Sequence, residues 1–309
     1  MILCIGTTPA EQRVMVFRRL ELDGVNRAIT TLDGAAGKSI NVAKVLATLG
    51  ARPIATGFVG GDRGRTLLRQ LALKRIEAEF VVVDQPTRQC LSVLDESSHT
   101  VTELVEESRP VTPGDYSSLK VIIQKHLSSC DAVIMSGSLT PGAAVDFYKE
   151  ITQRGTEAGI LSVVDAQGPP LVEALAARPD LVKPNRQELA RTFQMSLGSE
   201  AEVIMAMRQV HERGASRVVV TAGTSATLAL DATGLWKIQS PDIKAVSPIG
   251  SGDAFMAALV WRLVRKEDLG EACRWGSAAG AANALSIMPG ELDREDVERL
   301  AGQVQVKRL

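Results

Sequence analysis

The hydrophobic positions of this chain form short, continuous apolar runs that alternate with segments of helical spacing. The runs have the β-branched residues and the length of buried strands. Apolar strands separated by helices are typical of a parallel sheet covered on both faces, with ligands bound at the edge where the strands end. Strands are predicted at 131–137, 160–166, 180–185 and 216–223, and helices from about Gly142, from Arg186 and over about 200–213.

Two segments in the first third of the chain interrupt this alternation. Each contains two stretches with mixed polar and apolar faces, joined by a turn rather than by a helix. We predict that the two pairs form one small antiparallel sheet that projects over the ligand site, with an ordinary edge hairpin as the alternative. This lid would span about 9–33 and 86–108 of a single domain, 1–309.

Composition restricts the partners that the protein can have. Lys and Arg number 35 against 36 Asp and Glu, so the overall charge favours neither nucleic acid nor an anionic membrane surface. The four cysteines include no CxxC pair, which argues against a zinc site or a disulfide framework and fits a reducing compartment. The amino terminus lacks the pattern of a signal peptide, and no apolar run is long enough to span a membrane. We therefore expect a cytoplasmic protein whose anion site is local.

The segment "SPIGSGDAFMAALVWRL" (247–263) carries the best candidate chemistry. Gly250, Ser251 and Gly252 precede an apolar helix that has Asp253 in its first turn. Outward-turned glycine amides, the free N–H groups of a helix start and its dipole together suit a transferring phosphoryl group. Asp253 would accept the proton of an attacking hydroxyl, and we expect the dipole to keep it ionised and a weak base, which phosphoryl transfer tolerates. The alternative is a Gly-rich turn in which the Asp only complements the dipole.

Two further stretches lie at the ends of predicted strands. In "KPNRQELA" (183–190), Asn185 and Glu188 are three residues apart and could hold Mg²⁺ through its water ligands. The same pair is also the pattern of a helix N-cap with a capping box. In "VVVTAGTSATLAL" (218–230), Gly223 would let the backbone approach a nucleotide, although a simple hairpin would need no ligand.

The segment "LDGAAGKSINVAKVLATLG" (32–50) is similar to the phosphate loop of an ATPase but departs from its spacing. A Walker A loop follows G-x-x-x-x-G-K-[ST], and Leu32 stands where the first glycine is required. Gly34 comes two positions too late, even though "LSVVD", ending at Asp165, could imitate a Walker B strand. The spacing therefore argues against a P-loop and leaves the role of Lys38 to be explained.

These stretches, in this order, resemble the PfkB (ribokinase-like) family of carbohydrate kinases. "GSGD" is similar to the G-[AS]-G-D signature of that family, and "KPNRQE" is similar to its N-x-x-E motif. "AAGKSINVAKVLATLG" is similar to "AGGKGINVARVLKRLG" of the 1-phosphofructokinase and tagatose-6-phosphate kinase branch, which "GFVGGDRG" and "SGSLTPG" also fit. The resemblance covers essentially the whole chain. It implies an α/β fold with a three-layer α/β/α core, a mostly parallel sheet and a small β-sheet lid, and transfer of the γ-phosphoryl group of ATP, with Mg²⁺, to a sugar hydroxyl.

The resemblance also implies roles for individual residues. Asp253 would be the base, beside an anion hole formed by Gly250, Ser251 and Gly252. Lys38 would face the phosphate of the sugar, across the cleft from ATP. The residues implied at ATP are Lys183, Asn185, Thr221, Gly223 and Asn283. The residues implied at Mg²⁺, through water, are Asn185 and Glu188. The residues implied at the sugar phosphate are Gln12, Gly37, Lys38, Asn41 and Arg88.

The sugar-binding end departs from the pattern of the branch. Gln12 stands where the branch has an Asp that bonds sugar hydroxyls, and an amide lacks the charge of a carboxylate. Ala36 and Ser39 replace two glycines, Cys90 replaces an Asn and Ala226 replaces a Gly. Because the catalytic end matches while the sugar end is altered, these departures bear on the substrate far more than on the reaction. The leading hypothesis is an ATP-dependent kinase of a ketohexose monophosphate, such as fructose 1-phosphate, fructose 6-phosphate or tagatose 6-phosphate.

Three alternative functions remain. A kinase of an unphosphorylated sugar or nucleoside is disfavoured by Lys38 and Arg88, since two cations suit a phosphate. A sugar-phosphate sensor without turnover fits the altered sugar end but is disfavoured by Asp253. A P-loop switch has in its favour the GKS sequence and the Walker B-like run that ends at Asp165, but not the spacing of its glycines. We also expect a homodimer through the lid, because a small sheet with half-apolar faces and free edges is poorly stable alone.

Overall fold

The computed structural model describes the whole chain, residues 1–309. The strands are β1 (Ile2–Gly6), β2 (Ala10–Phe17), β3 (Thr30–Ala36), β4 (Pro53–Val59), β5 (Glu77–Ala78), β6 (Val81–Val82), β7 (Arg88–Asp95), β8 (Thr100–Val105), β9 (Ala132–Ser136), β10 (Leu161–Asp165), β11 (Leu181–Val182), β12 (Val218–Ala222), β13 (Ser225–Asp231), β14 (Gly234–Gln239) and β15 (Gln305–Arg308). The helices are α1 (Lys38–Thr48), α2 (Gly61–Leu73), α3 (Pro113–Leu127), α4 (Phe147–Glu157), α5 (Pro169–Leu175), α6 (Arg186–Phe193), α7 (Glu200–Glu212), α8 (Ser251–Leu263), α9 (Leu269–Ala284) and α10 (Arg294–Ala301).

One large sheet forms the centre of the molecule. Its strand order is β15-β14-β13-β12-β11-β10-β9-β1-β4-β5, with β6 also paired to β4. The pairs from β12 to β5 are parallel, whereas β12 to β15 pair antiparallel. The sheet is thus mostly parallel, as the sequence predicts.

Helices cover both faces of this sheet and make the core a three-layer structure. Ile2 and Cys4 pack against α1, α2 and α8–α10, whereas Leu3 and Ile5 pack against α3–α7. Because side chains alternate across a strand, a strand between two helical layers is apolar at every position. This explains the continuous apolar runs and confirms the predicted α/β/α core. No helix combines the length and the apolar character needed to cross a bilayer.

The predicted elements of the second half are present, with two corrections. The four predicted strands are β9, β10, β11 and β12, although β11 is only two residues long. The helix at Arg186 begins there, and the helix near 200–213 is α7. The helix expected from about Gly142 begins instead at Phe147, because Gly142 has a positive φ of 79° and lies in a turn.

The lid is a separate sheet of four strands in the order β3-β2-β7-β8. Its two hairpins are antiparallel, but β2 and β7 pair in parallel, so the prediction of an all-antiparallel lid was wrong. The reason is that each hairpin leaves the core along its first strand, and these two strands lie side by side. Val14, Val16 and Leu94 of the lid pack against Met288 of the core.

Candidate active site

Most of the predicted site residues surround one cavity of about 350 Å³ between the lid and the carboxyl edge of the large sheet, whereas Ser251, Gly223 and Asn283 do not line it. Twelve of them line it, from the lid, the start of α1, the strand ends and the start of α8. They are Gln12, Gly37, Lys38, Asn41, Arg88, Lys183, Asn185, Glu188, Thr221, Gly250, Gly252 and Asp253. Eight more residues of the wall were not predicted as site residues, and Cys90, Glu103 and Asp165 are the ones among them with ionisable side chains.

The glycine before α8 sets the shape of the predicted anion hole. Gly250 is the N-cap in the left-handed region, with φ 82°, and a Cβ there would lie 2.8 Å from the Cβ of Pro289. Only glycine meets both conditions without strain. Helix α8 therefore begins at Ser251. The N–H groups of Ser251 and Asp253 donate to the carbonyls of Pro248 and Gly250, so Gly252, which lines the cavity, carries the backbone N–H of this turn that has no such partner.

Asn283 holds this loop in place and does not line the cavity. It is fully buried, and its Nδ2 donates hydrogen bonds to the carbonyl of Ile249 at 2.8 Å and to Ser251 Oγ at 3.3 Å. Its Oδ1 accepts a hydrogen bond from the backbone N–H of Gly290 at 2.8 Å. Because the whole amide is engaged, the expected contact between Asn283 and a nucleotide has no support in this geometry.

Asp253 is the buried carboxylate of the cavity. Its side chain lies in the first turn of α8, and its Oδ2 accepts a hydrogen bond from Asn41 Nδ2 at 2.7 Å. Burial raises the pKa of Asp253 to about 6, against the attraction of the Lys38 ammonium, which lowers it. Burial thus outweighs the stabilisation that we expected from the helix dipole. At a pKa of about 6 the carboxylate is still ionised at neutral pH, as expected, but the expected weak base does not fit, since Asp253 is more basic than an exposed Asp.

Lys38 lies between two carboxylates rather than in a phosphate loop. Gly37, with φ 104°, ends β3 and begins α1, so that the Lys38 Nζ lies 3.3 Å from both Asp165 Oδ1 and Glu188 Oε1. Lys183 Nζ is 3.7 Å from the same Asp165 oxygen. Burial opposes both charges, but the two ammonium groups lower the pKa of Asp165 and the carboxylates raise the pKa of Lys38. Lys38 and Asp165 are therefore charged at neutral pH.

Asn185 and Glu188 form the capping box that the sequence left as an alternative to a metal site. Asn185 Oδ1 accepts from the Glu188 N–H at 2.8 Å, and Glu188 Oε2 accepts from the Asn185 N–H at 2.9 Å. The other carboxylate oxygen of Glu188 is directed at Lys38, so the cap still presents charge to the cavity. A structural role and a role at the site are compatible here.

The carboxylates of Asp165 and Glu188 suit a magnesium ion that keeps most of its water ligands. No group of three or more His, Cys, Asp or Glu side chains is arranged to hold a metal directly. However, Asp165 Oδ2 is buried without a hydrogen-bond partner, and Glu188 lies on the other side of Lys38. One or two carboxylates plus water are the usual protein ligands of Mg²⁺.

The opposite end of the cavity is formed by the lid. Gln12 is buried, and its Nε2 donates to Ser92 Oγ at 2.8 Å. Arg88 Nε donates to the carbonyl of Thr8 at 3.1 Å. Lys38 and Arg88, which come from distant segments, both line an adjoining cavity of about 300 Å³. The structure thus brings together the two cations that the sequence assigns to a phosphate.

Asp165 and Glu103 are the wall carboxylates that the sequence analysis did not assign to the site. A signal for Asp165 was its place at the end of the apolar run "LSVVD", where a parallel strand meets the ligand edge. No comparable sequence pattern marked Glu103, because the register of β8 decides on which face of the lid sheet its side chain lies. Gly223, with φ 60°, lies in the turn after β12 outside the cavity wall, so its contact with a nucleotide stays a prediction.

Comparison with known proteins places this chain in a family. The chain matches the pfkB family of carbohydrate kinases over residues 1–292. The protein belongs to this family. The tagatose-6-phosphate kinase of Staphylococcus epidermidis is 29% identical over 309 residues, which are 99% of each chain.

Solved structures agree with this assignment. Phosphofructokinase-2 from Escherichia coli, in complex with fructose-6-phosphate, is 26% identical, with a TM-score of 0.87 over 97% of this chain and 98% of that chain. A tetrameric inhibited form of that enzyme is also similar, with a TM-score of 0.89. The ribokinase of Arabidopsis thaliana, complexed with ribose and ATP, is 18% identical with a TM-score of 0.76, covers 97% of this chain and 98% of that chain, and shows the shared fold. The protein is thus a pfkB-type carbohydrate kinase with the ribokinase-like fold.

Proposed function

We propose that this pfkB-type kinase transfers the γ-phosphoryl group of ATP to a hydroxyl of a ketohexose monophosphate. Fructose 1-phosphate, fructose 6-phosphate and tagatose 6-phosphate are the candidate acceptors. The observation that carries the proposal is the convergence in one cleft of a buried base, Asp253, and two cations, Lys38 and Arg88.

Asp253 is the group that receives the proton of the attacking hydroxyl. The oxygen of that hydroxyl forms a bond to the γ-phosphorus, its proton passes to the Asp253 carboxylate, and ADP leaves with the electron pair of the broken bond. With a pKa of about 6, the carboxylate is ionised at neutral pH and is still basic enough to take up the proton. Asn41 Nδ2 holds one oxygen of the carboxylate at 2.7 Å, and the buried, unpaired Asn41 Oδ1 is free to orient the sugar.

The start of α8 stabilises the charge that develops on the transferred group. Gly250 and Gly252 line the cavity beside Asp253, and the Gly252 N–H has no backbone partner, whereas the N–H groups of Ser251 and Asp253 donate to the carbonyls of Pro248 and Gly250. Phosphoryl transfer needs positioning and charge stabilisation more than covalent help from the protein. A helix start with a fixed glycine turn supplies both.

Asp165 and Glu188 are suited to hold Mg²⁺ through water, with Asn185 beside them. The ion would neutralise charge on the phosphates of ATP. Lys183 and Thr221 line the same side of the cavity, and Gly223 follows in the turn after β12. We therefore assign this side of the cleft to ATP and the lid side to the sugar, with Lys38 between them, since it contacts Asp165 and Glu188 and also lines the adjoining cavity with Arg88.

We further propose a homodimer formed through the lids. Leu104 is 54% exposed on the face of β8 opposite to Glu103 and Val105, which line the cavity, and Leu32 is 40% exposed on β3. The outer strands β3 and β8 also leave one edge each without a partner strand. Exposed apolar side chains and free edges of this kind favour association with a second copy.

A coupled assay of ADP release, run over a panel of sugars and sugar monophosphates, tests the function. We expect turnover with ATP, Mg²⁺ and a ketohexose monophosphate, and none with the Asp253→Asn variant prepared in parallel. Preferred turnover of an unphosphorylated sugar or nucleoside would contradict the assigned acceptor class. Binding of a sugar phosphate without ADP release would instead indicate a sensor.

A further inference from the structure

The branch that this chain resembles has a sugar-binding Asp at the position of Gln12. The Gln12 side chain is neutral and is already hydrogen-bonded within the protein. Gln12 is 2% exposed. Its Nε2 donates to Ser92 Oγ at 2.8 Å and lies 3.4 Å from the carbonyl oxygen of Arg13, so the amide is tied to the lid sheet. Only a neutral carbonyl oxygen remains, which is a weaker acceptor for sugar hydroxyls than a carboxylate.

A carboxylate reaches the same wall from another strand. Glu103 lies on β8 directly opposite Ser92 of β7, the residue to which Gln12 donates. Because side chains alternate across a strand, Glu103 shares its face with Val105, and both line the cavity together with Asp253. Opposed side chains of paired strands lie about 5 Å apart at Cβ, so the row from Gln12 to Glu103 forms one continuous patch of the wall.

The side chain of Glu103 has no partner within the protein. It accepts no hydrogen bond, and its charged neighbour is Arg88. The Arg88 guanidinium is itself held by the carbonyls of Thr8 at 3.1 Å and Glu106 at 3.4 Å. Glu103 is therefore free to accept hydrogen bonds from a molecule in the cavity while Arg88 faces a phosphate.

We propose that Glu103 is a specificity-determining residue that accepts hydrogen bonds from hydroxyl groups of the acceptor sugar, replacing a carboxylate at position 12. The inference rests on the proposed function and defines its substrate class more narrowly. A carboxylate accepts hydrogen bonds from two adjacent hydroxyls and repels a second anionic group. The acceptor is thus a polyhydroxylated sugar with a single phosphate, and sugar acids that carry a phosphate are excluded.

The test compares Glu103→Ala and Glu103→Gln with two matched controls. Glu96→Gln removes the charge of an exposed Glu in the turn between β7 and β8, and Thr102→Ala alters the neighbouring position on the other face of β8. Steady-state kinetics are measured with the best sugar phosphate and with its deoxy analogues, and thermal unfolding confirms that each variant is folded.

Loss of a charge-assisted hydrogen bond is expected to lower kcat/KM for the sugar phosphate roughly ten- to a hundredfold in Glu103→Ala, with little change in the KM for ATP. Glu103→Gln should show a smaller loss and accept phosphorylated sugar acids better than the wild type does. The wild type should discriminate against one deoxy analogue, and Glu103→Ala should lose that discrimination. Unchanged kinetics and unchanged discrimination in both variants would overturn the inference.

The proposed function and this inference fail in different ways. If the wild type releases no ADP with any sugar phosphate, the proposed transfer is wrong, and binding is then measured as the shift in Tm that each sugar phosphate causes. A shift that is lost in Glu103→Ala but kept in Glu96→Gln would still support the role of Glu103. An equal shift in both variants, or no shift in the wild type, would overturn it.

Discussion

Replacing Asp253 with Asn is expected to abolish phosphoryl transfer and at the same time to stabilise the protein. The amide keeps the size of the side chain, and its oxygen can still accept the hydrogen bond from Asn41 Nδ2. It cannot take up the proton of the attacking hydroxyl. Loss of a positioned base commonly lowers the rate about 10²–10⁴-fold, so kcat should fall at least this far. Nucleotide binding should remain nearly unchanged.

The gain in stability follows from the raised pKa of Asp253. Burial moves this pKa from 3.8 to about 6, so the folded protein retains a proton between these values that the unfolded chain has lost. The resulting loss of folding free energy, caused by ionising the buried Asp253, is absent below pH about 4. It increases as the pH rises and is complete above pH about 6. About two pH units, at about 1.4 kcal/mol each, amount to about 3 kcal/mol at pH 7. Asp253→Asn should remove this cost and raise the Tm by roughly 5 °C.

Thermal unfolding at pH 4 and pH 7, combined with the ADP-release assay, measures both effects. The difference in Tm between variant and wild type should be large at pH 7 and small at pH 4. Wild-type kcat/KM should fall as the pH decreases through about 6, because the base becomes protonated. Asp62→Asn is the matched control, since Asp62 lies in the first turn of α2 and is 92% exposed. Turnover near the wild-type rate in Asp253→Asn would remove Asp253 from the mechanism, and equal Tm values at pH 7 would refute the burial argument.

The other predictions concern the acceptor end, the lid and the anion hole. Arg88→Ala should raise the KM for the sugar phosphate roughly ten- to a hundredfold and that for ATP little, since a hydrogen bond to a charged group contributes about 1.5–3 kcal/mol; equal effects on both would contradict the assignment. Lys38→Ala should act in the same way, and a rise mainly in the KM for ATP would show that Lys38 serves the donor phosphates. Light scattering should show a homodimer, and a monomer at working concentrations would argue against pairing of the lids. Gly250→Ala should lower both kcat and Tm, because a Cβ there meets Pro289 at 2.8 Å with φ at 82°, whereas Gly302→Ala, with a negative φ, should change neither.

The features that depend on neighbouring residues in the chain could be predicted from the sequence. Continuous apolar runs predicted the buried parallel strands, because a strand between two helical layers contacts apolar groups on both sides. The start of α6 at Arg186 follows from the capping box of Asn185 and Glu188, which closes within four residues. The glycine turn before Asp253 likewise depends only on residues that are adjacent in the chain. For these features the sequence by itself determined the outcome.

The features that depend on distant residues were decided only by the tertiary structure. Lys38 meets Asp165 and Glu188 across 127 and 150 positions of the chain, and no local pattern encodes that meeting. The side of the lid on which Glu103 lies depends on strand register, since a shift of one residue would turn it outward. The pKa of Asp253 depends on how deeply packing removes it from water and on which charges the fold places beside it. Burial and Coulomb energy depend on distances in space, so the chemistry of the site was decided by the packing of the lid on the sheet.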